Sequence, residues 1–193
     1  MLNKPMTLLL ALLAPACSGT VLHMRVPVGW HDSMASMQPC GGVSDPVVQL
    51  REGDYQAVAP GHTKIKCKDY RIDIQVHAIA RLELEIPATL DHAKSQLVTL
   101  HAYDATGAEL SLGPDPAIDW QLENPIRRAE CSNKLWERAP DTPTCGPSDS
   151  LLVVGLGSGT GTITASFAGK TVKKTVQVQP SDPSTGKTPA SPV

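Results

Sequence analysis

Period-two alternation of apolar and polar residues limits how this chain can fold more than any other feature. Residues 150–180 read SLLVVGLGSGTGTITASFAGKTVKKTVQVQP, where Ile163, Ala165 and Phe167 share one face and alternate with threonines and a serine. Val172, Val176 and Val178 then face one way, while Lys173, Thr175 and Gln177 face the other. Successive side chains of a pleated strand point to opposite sides, so this pattern predicts antiparallel strands with one wetted face. Gly155, Gly157, Gly159 and Gly161 argue against a helix, and Ala168-Gly169 supplies a hairpin turn. Three short strands are expected here.

The alternation recurs over residues 71–86. Ile72, Ile74, Val76, Ala78, Ala80, Leu82, Leu84 and Ile86 fall on even positions, and polar residues fall between them except at Ile79. One strand of that length is improbable. The last strand of one module is therefore expected to run into the first strand of the next, with the join near residues 78–81. No Gly, Ser or Pro occupies the join, which predicts a semi-rigid connection. Further strands are expected at 18–28, 47–50, 55–58, 63–67, 98–103 and 117–123. Pro27 assigns the first of these to a sheet edge. Val98, Leu100 and Ala102 should point inward, as should Ile118, Trp120 and Leu122, with Trp120 a core anchor. Trp30 and Trp136 carry no such pattern and are less obviously buried. Asp104-Ala105-Thr106-Gly107 reads as a hairpin turn with Gly107 left-handed. Residues 29–46 and the insertion 124–149 read as irregular, and 180–193 as a disordered Pro/Ser/Thr tail. With 17 prolines, 15 glycines and few helix-period stretches, the chain is expected to be all-β.

Residues 1–16 read as a signal peptide: Lys4 precedes an apolar run over 6–13 that is too short to span a bilayer. Two cleavage readings stand. Ala14-Pro15-Ala16 suits an ordinary signal peptide, and Leu13-Ala14-Pro15-Ala16-Cys17 resembles the lipobox of bacterial lipoproteins, in which Cys17 would be lipidated. Cysteine parity favours the second. Of the five cysteines, a lipidated Cys17 leaves Cys40, Cys67, Cys131 and Cys145 for two disulfides in an exported chain. Their spacing favours Cys131 with Cys145 and Cys40 with Cys67.

Residues 88–178 resemble the bacterial immunoglobulin-like domains of group 2, found in invasin- and intimin-type surface proteins. The resemblance rests on residues 97–103 leading to Asp104-x-x-Gly107, on Ile118-Asp119-Trp120 with Asn124-Pro125, and on Val153-Val154. It continues through Gly159-Thr160-Gly161-Thr162-Ile163-Thr164-Ala165 and the terminal 175–178. It implies an immunoglobulin-like β-sandwich over 80–179, preceded by a smaller β-rich module over 17–79. It also implies a non-catalytic spacer, adhesion or assembly role, with no catalytic residue and no cofactor. The insertion 124–149, with its cysteine pair, departs from the family pattern.

Other chemistry is poorly supplied. The glycines of 155–161 resemble a phosphate loop, but a Thr-rich strand follows where a helix N-terminus is needed. Gly186-Lys187-Thr188 ends like a P-loop without its first glycine. The six histidines show no zinc-ligand spacing, and no metal site is expected. His23, His77 and His101 fall on polar strand faces, where a solvated imidazole is the default. His31-Asp32 has no accompanying nucleophile motif, so an enzyme would require His31, Asp32 and His77 to meet in a pocket between modules. A formal net charge of -2, with no long basic run, gives no reason to expect nucleic acid.

The candidate binding loop is the stretch between Cys131 and Cys145, with Lys134, Trp136 and Arg138 inside it and Arg127 and Arg128 upstream. Trp and Arg dominate interface hot spots, and a disulfide lowers the ordering cost of binding. The alternative is that Leu135 and Trp136 fold back to cap the sandwich. The expected protein is a non-enzymatic, lipid-anchored envelope protein, held to the membrane by its N-terminal lipid and binding a protein partner in the envelope or on another cell. Ser18, in place of an aspartate after Cys17, favours the outer membrane. The alternative is a secreted or periplasmic accessory module that binds glycan or peptide.

Overall fold

The computed structural model describes residues 20–32, 40, 45–51, 54–114, 116–131 and 146–180. Among them are fifteen strands and no helix. The expected signal peptide, Cys17 and the expected tail lie outside the described residues.

The first six strands are β1 (Thr20–Pro27), β2 (His31–Asp32), β3 (Val48–Arg51), β4 (Asp54–Ala57), β5 (Gly61–Lys66) and β6 (Tyr70–His77). They form two three-stranded sheets, β1-β6-β5 and β2-β4-β3. β1 is an edge strand, parallel to β6, as Pro27 led us to expect. Between the sheets lie Val26, Trp30, Val48, Tyr55, Ile65, Ile72, Ile74 and Val76, each at most 3% exposed. The alternation therefore points Ile72, Ile74 and Val76 into this cluster and Arg71 and Gln75 out of it. Cys40 and Cys67 form a disulfide beside the cluster.

Two sequence expectations fail here. Residues 29–46 were expected to be irregular, yet His31 and Asp32 pair with Gln56 and Tyr55. A two-residue strand has no period to detect; it is set in place by the turn before it, where Trp30 N–H donates to the Pro27 carbonyl at 3.1 Å, and by the bonds from Gly29 N–H to the Ala57 carbonyl and from Ala57 N–H to the Trp30 carbonyl, both 2.9 Å. Trp30 itself lies outside any alternating run, yet it is fully buried.

The remaining strands are β7 (Arg81–Glu85), β8 (Thr89–Asp91), β9 (Ser95–Tyr103), β10 (Glu109–Leu110), β11 (Asp119–Leu122), β12 (Ile126–Arg128), β13 (Ser150–Gly155), β14 (Gly159–Phe167) and β15 (Lys170–Gln179). One sheet runs β7-β9-β13-β12, with β10 on the free length of β9, and the other runs β11-β14-β15-β8. Taken in chain order, with β7 as A, β9 as B, β11 to β15 as C to G, and β10 an addition, the sheets are ABED and CFG. That is the immunoglobulin-like sandwich, here with β8 added in parallel to β15.

Val98, Leu100, Ala102, Val153, Ile163, Ala165, Val176 and Val178 fill the space between the sheets, each at most 1% exposed. Trp120 is only half-buried, packed against this cluster rather than at its centre, because β11 is an edge strand of its sheet. The strand break falls at residues 78–80. Ile79, the one exception to the 71–86 parity, is buried in the second cluster. Ile79 is buried between the exposed Ala78 and Ala80, and the even-position phase resumes at Leu82 and Leu84 as the chain enters the second core.

Candidate functional site

Two places bring polar side chains together in a way the fold controls. The first is the meeting of the N-terminal strands with the sandwich, where Asp104 is the centre. Asp104 closes the β9–β10 hairpin by accepting three bonds on Oδ1: from Thr106 N–H at 2.9 Å, Thr106 Oγ1–H at 2.6 Å and Ala108 N–H at 3.0 Å. Asp at this turn position commonly caps its own backbone in this way. Gly107 has the expected left-handed conformation, with φ of 82°.

The second carboxylate oxygen of Asp104 reaches the other core. Arg25 Nη2 of β1 donates to Oδ2 at 2.6 Å, and His77 Nδ1 at the end of β6 lies 3.3 Å from the same atom. Asp104 is 4% exposed. The Thr106 hydroxyl bond lowers its pKa from 3.8 to about 2, helped by the Ala108 and Thr106 amides and the Arg25 charge, against a burial effect that raises it. His77 is thus held against a buried carboxylate, with Nε2 buried and without a hydrogen-bond partner among the described residues, rather than standing as a solvated polar-face imidazole. The correction has a plain cause: β6 ends where β9 ends, and the two strand tips face each other.

Backbone contacts complete the meeting. Ser111 N–H donates to the Arg25 carbonyl at 2.9 Å, Ala80 N–H to that of Tyr103 at 2.8 Å, and Val28 N–H to that of His77 at 3.0 Å. The Arg81 guanidinium stacks 3.8 Å above the centre of the Tyr103 ring. Trp30 lies against Gly113, whose φ is 92°; a Cβ there would come within 2.7 Å of Trp30 Nε1.

The second place is an open side of the sandwich. The stretch between β12 and β13 leaves from Arg128, and both ends of its described part border a cleft of about 280 Å³ lined by Ile118, Trp120, Arg128, Cys131, Gly146 and Leu152, among others. Arg128 pairs in register with the buried Val153, so it occupies the inward-facing phase of β12, yet it is exposed at the rim. Arg127 is also exposed, and its Nη2 donates to Asn124 Oδ1 at 3.3 Å. Cys131 is disulfide-bonded. Its expected partner Cys145, together with Lys134, Trp136 and Arg138, lies outside the described residues.

No acid or histidine is among the described residues lining the cleft, which presents the Arg128 guanidinium, the Trp120 indole, the hydroxyls of Ser148 and Ser150, and the apolar side chains of Ile118, Leu151 and Leu152. Among the described residues, no group of three or more His, Cys, Asp or Glu is placed to hold a metal.

His101, expected as a solvated imidazole, instead lies between Glu109 and Glu85, at 2.6 Å and 3.0 Å. Burial pulls its pKa down, but the two carboxylates outweigh that and raise it. Sequence reasoning missed Arg25, His77 and Asp104 as a group, because Arg25 and Asp104 are separated by 79 residues.

No family model matches the chain. No curated protein matches it either. Similar solved structures include domains 4 and 5 of the S-layer protein SbsC, at 13% identity and a TM-score of 0.37, covering 76% of this chain and 79% of that one. InvD of Yersinia pseudotuberculosis is similar at 13% identity and a TM-score of 0.37, over 74% of this chain and 44% of that one. The D00-D0 domain of intimin is similar at 11% identity and a TM-score of 0.33, over 77% and 83%. These are low similarities.

Proposed function

We propose that this chain is a non-catalytic, lipid-anchored cell-envelope protein that works as a surface interaction or assembly module. In this reading residues 17–79 and 80–179 are two β modules, joined at 78–80 and held in a fixed relation by Asp104. The observation that carries it is the cysteine accounting. Cys40, Cys67 and Cys131 are all disulfide-bonded, as an exported chain requires, and pairing Cys131 with Cys145 leaves Cys17 for lipid. The loop between Cys131 and Cys145 is the contact element, rooted beside Arg127 and Arg128.

The test is a pull-down from envelope extracts with the wild-type protein and with Trp136→Ala. Loss of a specific protein partner at an unchanged melting temperature supports the reading; retention of the partner contradicts it.

The cleft at the root of the loop gives a specific reason to keep a second reading, an accessory module that binds glycan or peptide. A half-buried Trp120 beside exposed Arg128 is the pairing a sugar ring or a peptide carboxylate would use. Sugar hits on a glycan array that Arg128→Ala abolishes would favour it over the first.

A further inference from the structure

The N-terminal sheet has an outward face and a free end, and both bear on how an anchored chain would meet its membrane. β1 starts at Thr20, paired with Tyr70 at the start of β6, and the next row across the sheet is Val21, Arg71 and Lys66. Beyond that row the β5–β6 turn, closed by Cys67 N–H donating to the Tyr70 carbonyl at 3.0 Å, carries Lys68 and Asp69. These residues line a shallow hollow of about 250 Å³. Lys66, Lys68 and Arg71 are exposed, and none makes an ion pair among the described residues, so three cations face one carboxylate there. Val21 and Leu22 stand at the same end, 43% and 45% exposed, although both are large apolar side chains.

We infer that this end of the sheet docks on a bilayer that carries anionic phospholipid headgroups. Lys66, Lys68 and Arg71 hold the phosphates, and Val21 and Leu22 dip into the headgroup layer. The inference deepens the lipid-anchored reading proposed above and rests on it for the orientation. From Cys17 to Thr20 the chain spans at most about 10 Å, so a lipid on Cys17 would bring this end, and not the sandwich, against the membrane.

Charge complementarity points the same way. Without Lys4 the mature chain has a net charge of -3, so attraction to an anionic surface has to come from a local patch and not from the molecule as a whole. Each Lys or Arg brought to such a surface raises partitioning about fivefold. Exposed apolar side chains beside a basic cluster are the composition of an interfacial contact. The Pro27 and His77 end of the same strands meets Asp104, so docking at the Thr20 end leaves the sandwich pointing away from the bilayer.

The test uses the chain from residue 17 to 193 with Cys17→Ser, so that no lipid contributes, and phosphatidylcholine vesicles with and without phosphatidylglycerol. Co-sedimentation with the anionic vesicles, weakened by salt and absent with the neutral ones, is expected. Lys66→Glu/Lys68→Glu should lower it at least about tenfold. Lys170→Glu/Lys173→Glu, which changes net charge equally on β15, should leave it unaltered. Circular dichroism checks that both variants keep their strands.

No binding to anionic vesicles, equal losses from the two variants, or full binding by Lys66→Glu/Lys68→Glu would overturn the inference. So would saturable binding of inorganic phosphate that displaces the chain from vesicles at matched ionic strength, since the hollow would then serve a free anion. The intact mass of the native protein reads the lipid on Cys17 separately, so loss of the anchor and loss of the docking face are told apart.

Discussion

Asp104 has two carboxylate oxygens and uses them for different purposes: Oδ1 builds a local turn, and Oδ2 binds Arg25 across 79 residues of sequence. The first use was legible, because Asp-x-x-Gly between two apolar runs predicts a capped hairpin. The second was not, since nothing local in Arg25 or His77 distinguishes them from other polar-face residues. The pKa of about 2 makes the role measurable. A carboxylate whose folded pKa lies below its unfolded value adds stability above the unfolded pKa and loses it as pH falls through the folded one. Stability should therefore decline between about pH 4 and pH 2, and Asp104→Asn should flatten that decline while lowering the melting temperature by several degrees at neutral pH. Denaturant titrations of both proteins across this range check it; an unchanged acid slope in Asp104→Asn would show that the carboxylate's bonds, chiefly those to Thr106 and Ala108, do not carry this acid-linked stability.

At the scale of elements, the β14–β15 hairpin was fully written in the alternation, down to its Ala168-Gly169 turn with φ of 47° and 76°. The glycines before it argue only against a helix in the sequence. Gly161 is a buried strand residue, where a Cβ would sit 2.8 Å from Ile126 Cδ1 and 2.9 Å from the Glu123 carbonyl oxygen. The two sheets approach closely there, and only the facing sheet reveals why no side chain fits. Gly161→Val should cost about 1 to 3 kcal/mol by overpacking, read as a shift in the urea midpoint. The disulfide between Cys40 and Cys67, separated by 27 residues, contributes about 3 to 4 kcal/mol in the chain-entropy model. Cys40→Ser/Cys67→Ser should lose about that much and keep its strand content by circular dichroism. The short β2 escaped the sequence because its position depends on the buried Trp30, and isolated tryptophans have no periodicity to read.

For the whole molecule, the decisive sequence signal was the unbroken 71–86 run with Ile79 out of phase, which marks where the chain passes from one core to the other. The lack of Gly, Ser and Pro at the join predicts a semi-rigid connection, but not the contacts that hold it. Those contacts are made by Asp104, by Trp30 against Gly113 and by the backbone bonds around residues 77–80, all of which pair distant segments. Export is the condition on which the proposed function stands: oxidised cysteines in the fold and a lipid at the start of the mature chain. A non-reducing peptide map of the protein taken from its native host, with the mass of its first residue, tests it most directly. We expect Cys40 linked to Cys67, Cys131 linked to Cys145, and lipid on Cys17. Free thiols at Cys40, Cys67 and Cys131, or an unmodified Cys17 behind an uncleaved leader, would contradict it.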